Sequence, residues 1–511
     1  MRRLLAFLWA AALCLTLAGC WETEAPEPQE FWELEKPAEE PAPQKPEPVV
    51  FTLPWLNSQT LDPIACSDGI QQVVGSLLYE GLFALNERFE PQNALCASYT
   101  RSGDGRTYSF TLREDAAFSD GSALAASDVL AAFRRAQISE RYAARFANVV
   151  SMRVSREALV LTLAQADSGL PALLDIPVVK SGTEKDAAPI GTGPYYYLAD
   201  AGGPCLVRNP TWWGDGEGLP ARIPLAPAKD ADTAAYLFSA MRAHLLTADL
   251  LSETPAAALG GVDIADAPTT AMLFLGCNVK TPALADAALR AALGAAIDRE
   301  AVVASLLVGH AEAAQFPISP ASPLYPAELE TAYESGAYAA ALAALIPPDS
   351  ADPPAPLELT LLVNEENAFK TAVAEHLARA MSESYVTVAV SALPWEDYLA
   401  ALERGEFDLW LGETRLTADW NITSLVGSGG ALNYGGCASA PLDAALKAFL
   451  ANENEATAAA LCTLLAEEAP ILPIVFKSVS ALTPKGRIDG LSPIASQPLR
   501  GLAQWRFRFD P

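Results

Sequence analysis

The chain has 511 residues, 51% of them apolar, and a formal net charge of −28 with an isoelectric point near 4.5. A field that negative excludes nucleic acid as a partner, because no basic patch would overcome it. Three histidines and eight cysteines are scattered without C-x-x-C or zinc-ligand spacing, and no H-E-x-x-H or Ser/His/Asp ordering appears, so neither metal, cofactor nor catalysis is expected.

Arg2 and Arg3 precede an apolar run over residues 4–17 broken only by Thr16. The run is too short for a stable membrane span and reads as a secretory signal. Leu17-Ala18-Gly19-Cys20 resembles the bacterial lipobox. That resemblance implies removal of residues 1–19 and acylation of Cys20, which anchors the protein to the outer face of the cell membrane, the periplasmic side where an outer membrane exists. Residues 21–50 hold seven prolines, nine glutamates and two lysines. They cannot bury a core, so residues 20–48 read as an extended acidic stalk. Trp21, Phe31 and Trp32 rest either on the lipid interface or on the body. Cys14 leaves with the signal. Cys66, Cys96, Cys205, Cys277, Cys437 and Cys462 are either buried thiols or disulfide partners, with Cys437 and Cys462 as one candidate pair.

The body begins with a strand at residues 49–53. A helix opens at Asp68-Gly69 and carries Ile70, Val73, Val74, Leu77 and Leu78 at helical spacing. Tyr108, Phe110 and Leu112 alternate with polar residues in a half-buried strand, and residues 128–136 form a helix. Strand alternation returns at 149–154 and 159–163, which makes residues 85–189 an α+β unit. Further on come a strand at 272–276, helices at 284–293 and 300–308, and a proline-rich hinge at 346–356. Strand 357–363, helix 368–381, strand 386–390, helix 395–403 and strand 407–411 then alternate as in a parallel sheet flanked by helices. Two α/β bodies of unequal size are expected.

Several short motifs stand in a fixed order. They are Leu61-Asp62-Pro63, Tyr79-Glu80-Gly81-Leu82, Gly105 to Arg113, Phe118-Ser119-Asp120-Gly121, Ile190-Gly191-Thr192-Gly193-Pro194-Tyr195, Ala296-Ile297-Asp298-Arg299, and Pro394-Trp395 with Gly405-Glu406-Phe407-Asp408. In that order they resemble the extracytoplasmic solute-binding proteins of ABC importers, in the oligopeptide/dipeptide-binding family 5. The resemblance implies a two-lobed periplasmic-binding-protein (Venus flytrap) α/β fold with an extra α+β subdomain in the first lobe. Residues 49–84, 190–268 and 484–511 would form the first lobe, 85–189 its subdomain and 269–483 the second lobe, with the return crossing near 480–486. The Gly-Thr-Gly-Pro run reads as a tight turn whose glycines permit positive φ; with no Gly-Lys-Ser/Thr it is not a phosphate loop.

The implied function is a monomeric, membrane-anchored receptor that closes on a small peptide or peptide-like solute and delivers it to an ABC permease and its ATPase. The alternative is a surface lipoprotein of the same fold that binds a metal chelate, haem or sugar, or senses a peptide without transport. In relatives an aspartate at the position of Asp419 receives the α-ammonium of a bound peptide, and Asp419 lies just past a strand end, where open α/β sheets bind ligands. Asn421 adjoins it. Trp395 and Trp420 are either apolar walls or core. Arg415 meets either a ligand carboxylate or surface acids. Asn433 and Tyr434 are expected in a cleft-lining loop, and Ser67 and Asp68 face the cleft from the first lobe. Residues 243–249 depart from the family pattern close to the crossover.

Overall fold

The structure, a computed structural model, describes residues 49–253, 260–347 and 354–509. The signal, Cys20 and the stalk lie outside the described residues.

Two long strands, Val262–Cys277 and Ile471–Pro484, organise the body, paired antiparallel along nearly their whole length. The register breaks between Pro268 and Met272. Proline cannot donate to a ladder, so this bulge falls where the strand must bend. Side chains replace the lost ladder bonds there. The Thr269 hydroxyl donates to the Lys477 carbonyl at 2.6 Å and the Thr270 hydroxyl to that of Leu416 at 2.6 Å. Residues 478–484 pair with residues 262–268 in this ladder.

On one side of the crossing, Leu53–Leu56, Arg222–Ala228, Gly203–Arg208 and Tyr195–Asp200 form a four-stranded sheet in that order. Helix Gly69–Leu78 covers it with Val73, Val74, Leu77 and Leu78, and Ile488, Leu499, Leu502 and Trp505 complete the same core. The first strand starts at Leu53, later than the sequence suggests, because pairing with Leu225 begins there. Gly191 and Gly193 do not have positive φ. A Cβ on them would stand 2.1 Å from the Leu78 carbonyl oxygen and 2.5 Å from that of Leu77, so close approach to the helix end requires glycine here. Glu80, half-buried, accepts from the indoles of Trp212 and Trp213 at 3.1 and 3.0 Å. Asp62 pairs with Arg135 across to the subdomain helix.

The subdomain sheet orders Cys96–Arg101, Thr107–Leu112, Ala158–Leu163 and Val149–Ser155, all antiparallel. Helix Ala126–Ala136 packs Val129 and Phe133 onto Tyr108, Phe110, Leu159 and Leu161.

Beyond the crossing, strands Leu357–Asn364, Val386–Leu393 and Leu409–Arg415 run parallel to one another and join the long pair in one sheet. Helices Ala368–Met381 and Trp395–Arg404 connect them. Alternation along Val262–Cys277 sends Leu273 and Leu275 into one core and Met272 and Phe274 into another, so this sheet is buried on both faces. All six body cysteines are buried free thiols, Cys437 and Cys462 included.

Candidate functional site

Strand Leu409–Arg415 ends in the loop that carries Asp419. Trp420 turns back there with φ +53°, its N–H bonding the Thr417 carbonyl at 3.0 Å. Asp419 is 2% exposed. One carboxylate oxygen accepts from the Thr417 hydroxyl and from the Asn421 N–H at 3.3 Å. Asn421 accepts from the Thr423 N–H at 3.0 Å just ahead of the short helix Thr423–Val426, whose N-cap is Ile422.

The face opposite Asp419 comes from the subdomain. A Cβ on Gly169 would lie 2.6 Å from the Asp419 Cβ and 2.1 Å from Glu453 Oε1. Ser168 fastens this contact. Its N–H donates to the Leu450 carbonyl at 2.8 Å, and its hydroxyl oxygen accepts from the Glu453 N–H at 2.7 Å. Arg101 donates to the Ala451 carbonyl at 2.8 Å, and Phe89 meets Trp420 edge-on with ring centroids 5.2 Å apart. The lobes therefore touch at a junction that includes three carboxylates, Asp167, Asp419 and Glu453. Burial pushes all three up, Asp167 to about 6 and Glu453 to about 10, and the charge of Asp419 adds to both. Arg145 lends Asp419 positive charge while bonding Asp175.

The other candidates do not gather here. Trp420 is 2% exposed and packs against Phe476 in the second-lobe core, so it is a wall only where Phe89 touches it. Trp395 is 52% exposed and stacks on Tyr398. Arg415 is exposed at the end of its strand. Asn433 does not present its amide to a cleft. It donates to the carbonyls of Gly427 and Cys437 and accepts from the Cys437 N–H, closing its own loop. Tyr434 stands edge-on to Trp410 in the core. Asp68 accepts from the N–H groups of Ile70 and Gln71, a helix cap that engages its carboxylate, and Ser67 is exposed. The departure at 243–249 buries His244 between Phe51 and Phe509 and pairs Asp249 with Lys477. A recess of about 430 Å³ lies elsewhere in the second lobe, beside Arg299, Gln315 and Tyr333, and none of the candidates borders it. Asp167, Gly169, Glu453 and Arg145 carried no sequence signal, because their proximity arises only when the lobes meet.

The model of the bacterial extracellular solute-binding proteins, family 5, matches residues 90–431. The chain belongs to that family. It is a family of binding receptors rather than enzymes. The glutathione-binding protein GsiB of Salmonella typhi is 29% identical over 286 residues, 52% of this chain, and the chain spans 55% of that relative's length. Among solved structures, NikA from Brucella suis in complex with Fe(III)-EDTA has a TM-score of 0.67 at 21% identity, covering 90% of this chain and 99% of that one. The murein tripeptide binding protein MppA, in its unliganded open form, has a TM-score of 0.68 at 20% identity, covering 86% and 93%. These likenesses show the two-lobed fold. Among the described residues no helix is long and apolar enough to cross a membrane.

Proposed function

We propose that the protein is a lipid-anchored receptor, acylated at Cys20, that captures a peptide-like solute between its lobes and delivers it to an ABC import permease and its ATPase. Asp419 carries the ligand class. It is a carboxylate removed from water at the point where the lobes meet, and such a charge is retained when a partner of opposite sign reaches it. The free α-ammonium of a peptide is such a partner. The relatives named for glutathione, a peptide with a free amino group, support this class.

Calorimetry on the soluble Cys20→Ser protein tests the assignment. Asp419→Ala is expected to weaken binding of a free-amino peptide by about 2–5 kcal/mol, the usual cost of stranding one member of a buried charge pair. The N-acetylated peptide binds wild type poorly and loses little more in the variant. Equal losses for both peptides would assign Asp419 to the loop's structure. A non-peptide solute is the second reading, favoured by Arg145, which already brings positive charge to Asp419. Failure of every peptide to bind wild type selects it.

A further inference from the structure

Gly169 sits at a place no side chain fits, between Asp419 and Glu453, two residues from Asp167, whose carboxylate accepts the Gly169 N–H at 2.9 Å. Asp167 and Gly169 belong to the subdomain sheet's neighbourhood, and Asp419 and Glu453 to the second lobe. Separation of the lobes therefore returns all three carboxylates to water. In the closed arrangement Glu453 Oε1 is shut off from solvent and has no hydrogen-bond partner. We propose that seating Gly169 between Asp419 and Glu453 is coupled to proton uptake by this carboxylate trio, so that the solute-free protein closes more readily as the pH falls.

The surrounding positive charges compensate the trio only in part. Arg101 faces Asp167 and Glu453 and opposes the rise of both, its guanidinium also donating to the Ala451 carbonyl. Arg145 faces Asp419 while ion-paired to Asp175, and Tyr108 adds a neutral phenol. Among the described residues no three His, Cys, Asp or Glu side chains are placed to share a metal ion, so the trio is not a metal cage. Neutralisation falls to protons. The sign follows from burial. A carboxyl group whose closed-state pKa lies above its open-state value favours closure below the closed pKa, and that advantage is lost as pH rises toward it. Asp167 spans the acid part of this window, up to about 6, and Glu453 the remainder, up to about 10. For one proton taken up, the closure constant falls about tenfold per unit of pH. Nothing in this coupling depends on which solute fills the cleft.

The test uses the Cys20→Ser protein freed of solute by unfolding and refolding, with the closed fraction followed by small-angle X-ray scattering from pH 5 to 9. Wild type is expected to expand as the pH rises. Glu453→Gln, neutral at every pH, is expected to stay closed further into the alkaline range with a shallower slope. Asp167→Asn should lose the slope below pH 7, and supplies the reading if the glutamine variant does not fold. A closed fraction that is flat with pH in wild type overturns the proposal. So does one that falls with the same slope in wild type and both variants.

Discussion

Two places in this molecule hold buried charge between the lobes, and they are built in opposite ways. At the crossing strands, Lys477 is 5% exposed and reaches Asp249 at 2.7 Å and Glu413 at 3.3 Å, while Lys370 meets Glu413 at 3.2 Å. Two ammonium groups interleave with two carboxylates, and the lobes stay joined there. At the Gly169 junction three carboxylates crowd together with one arginine engaged by a backbone carbonyl and another by Asp175. Charge is matched where the chain is continuous and matched only in part where surfaces separate. A balanced network resists motion, because breaking it strands a charge; an unbalanced one is a contact held only while something neutralises it.

Substitutions can break or sharpen this contrast. Lys477→Met should have the largest effect, since it strands Asp249 and Glu413 with Lys370 as their remaining cation. Discounting for the partly exposed Asp249, global stability is expected to fall by about 3 kcal/mol, read as a lower urea midpoint. An unchanged midpoint would remove the claim that the crossing depends on charge. Gly169→Ala should leave that midpoint alone, because its φ of −79° suits any residue. The added methyl nevertheless overpacks the junction, and the closed state should lose about 1–3 kcal/mol relative to the open one, seen as a larger radius of gyration. Arg101→Ala should act at the same place more weakly. It removes one hydrogen bond across the lobes and one nearby positive charge, for about 1 kcal/mol against closure and none against folding. If it lowers the unfolding midpoint instead, Arg101 belongs to the subdomain's own stability.

What the sequence revealed follows the same division. The alternation from Leu357 to Arg415 was legible because each element has one period and each turn a local marker, so the residues concerned are also neighbours in space. The strand Ile471–Pro484 was not, since burial on both faces removes the alternation, leaving an apolar first half and a mixed second half with Lys477, Ser478, Ser480 and Thr483. Val262–Cys277 was read only at its end, because Asp263, Asp266 and Pro268 give its first half the composition of a loop. Asp419 was chosen through its place after a strand end and its likeness to relatives. Asn433, chosen as a cleft residue, serves its own loop through bonds to positions four and six residues away, which loop composition does not distinguish from exposure. Asp167 and Glu453 come from opposite lobes, and no local pattern announces a contact made by closing.

The C-terminal segment that completes the first lobe bears on how such a chain is made. Phe51 meets Trp505 and Phe507, and His244 lies 4.4 Å from Phe509, ring centre to ring centre. The residue just ahead of the first described strand is therefore covered by a segment far later in the sequence. A chain that emerges N-terminus first leaves this core open until the segment from Trp505 to Phe509 joins it.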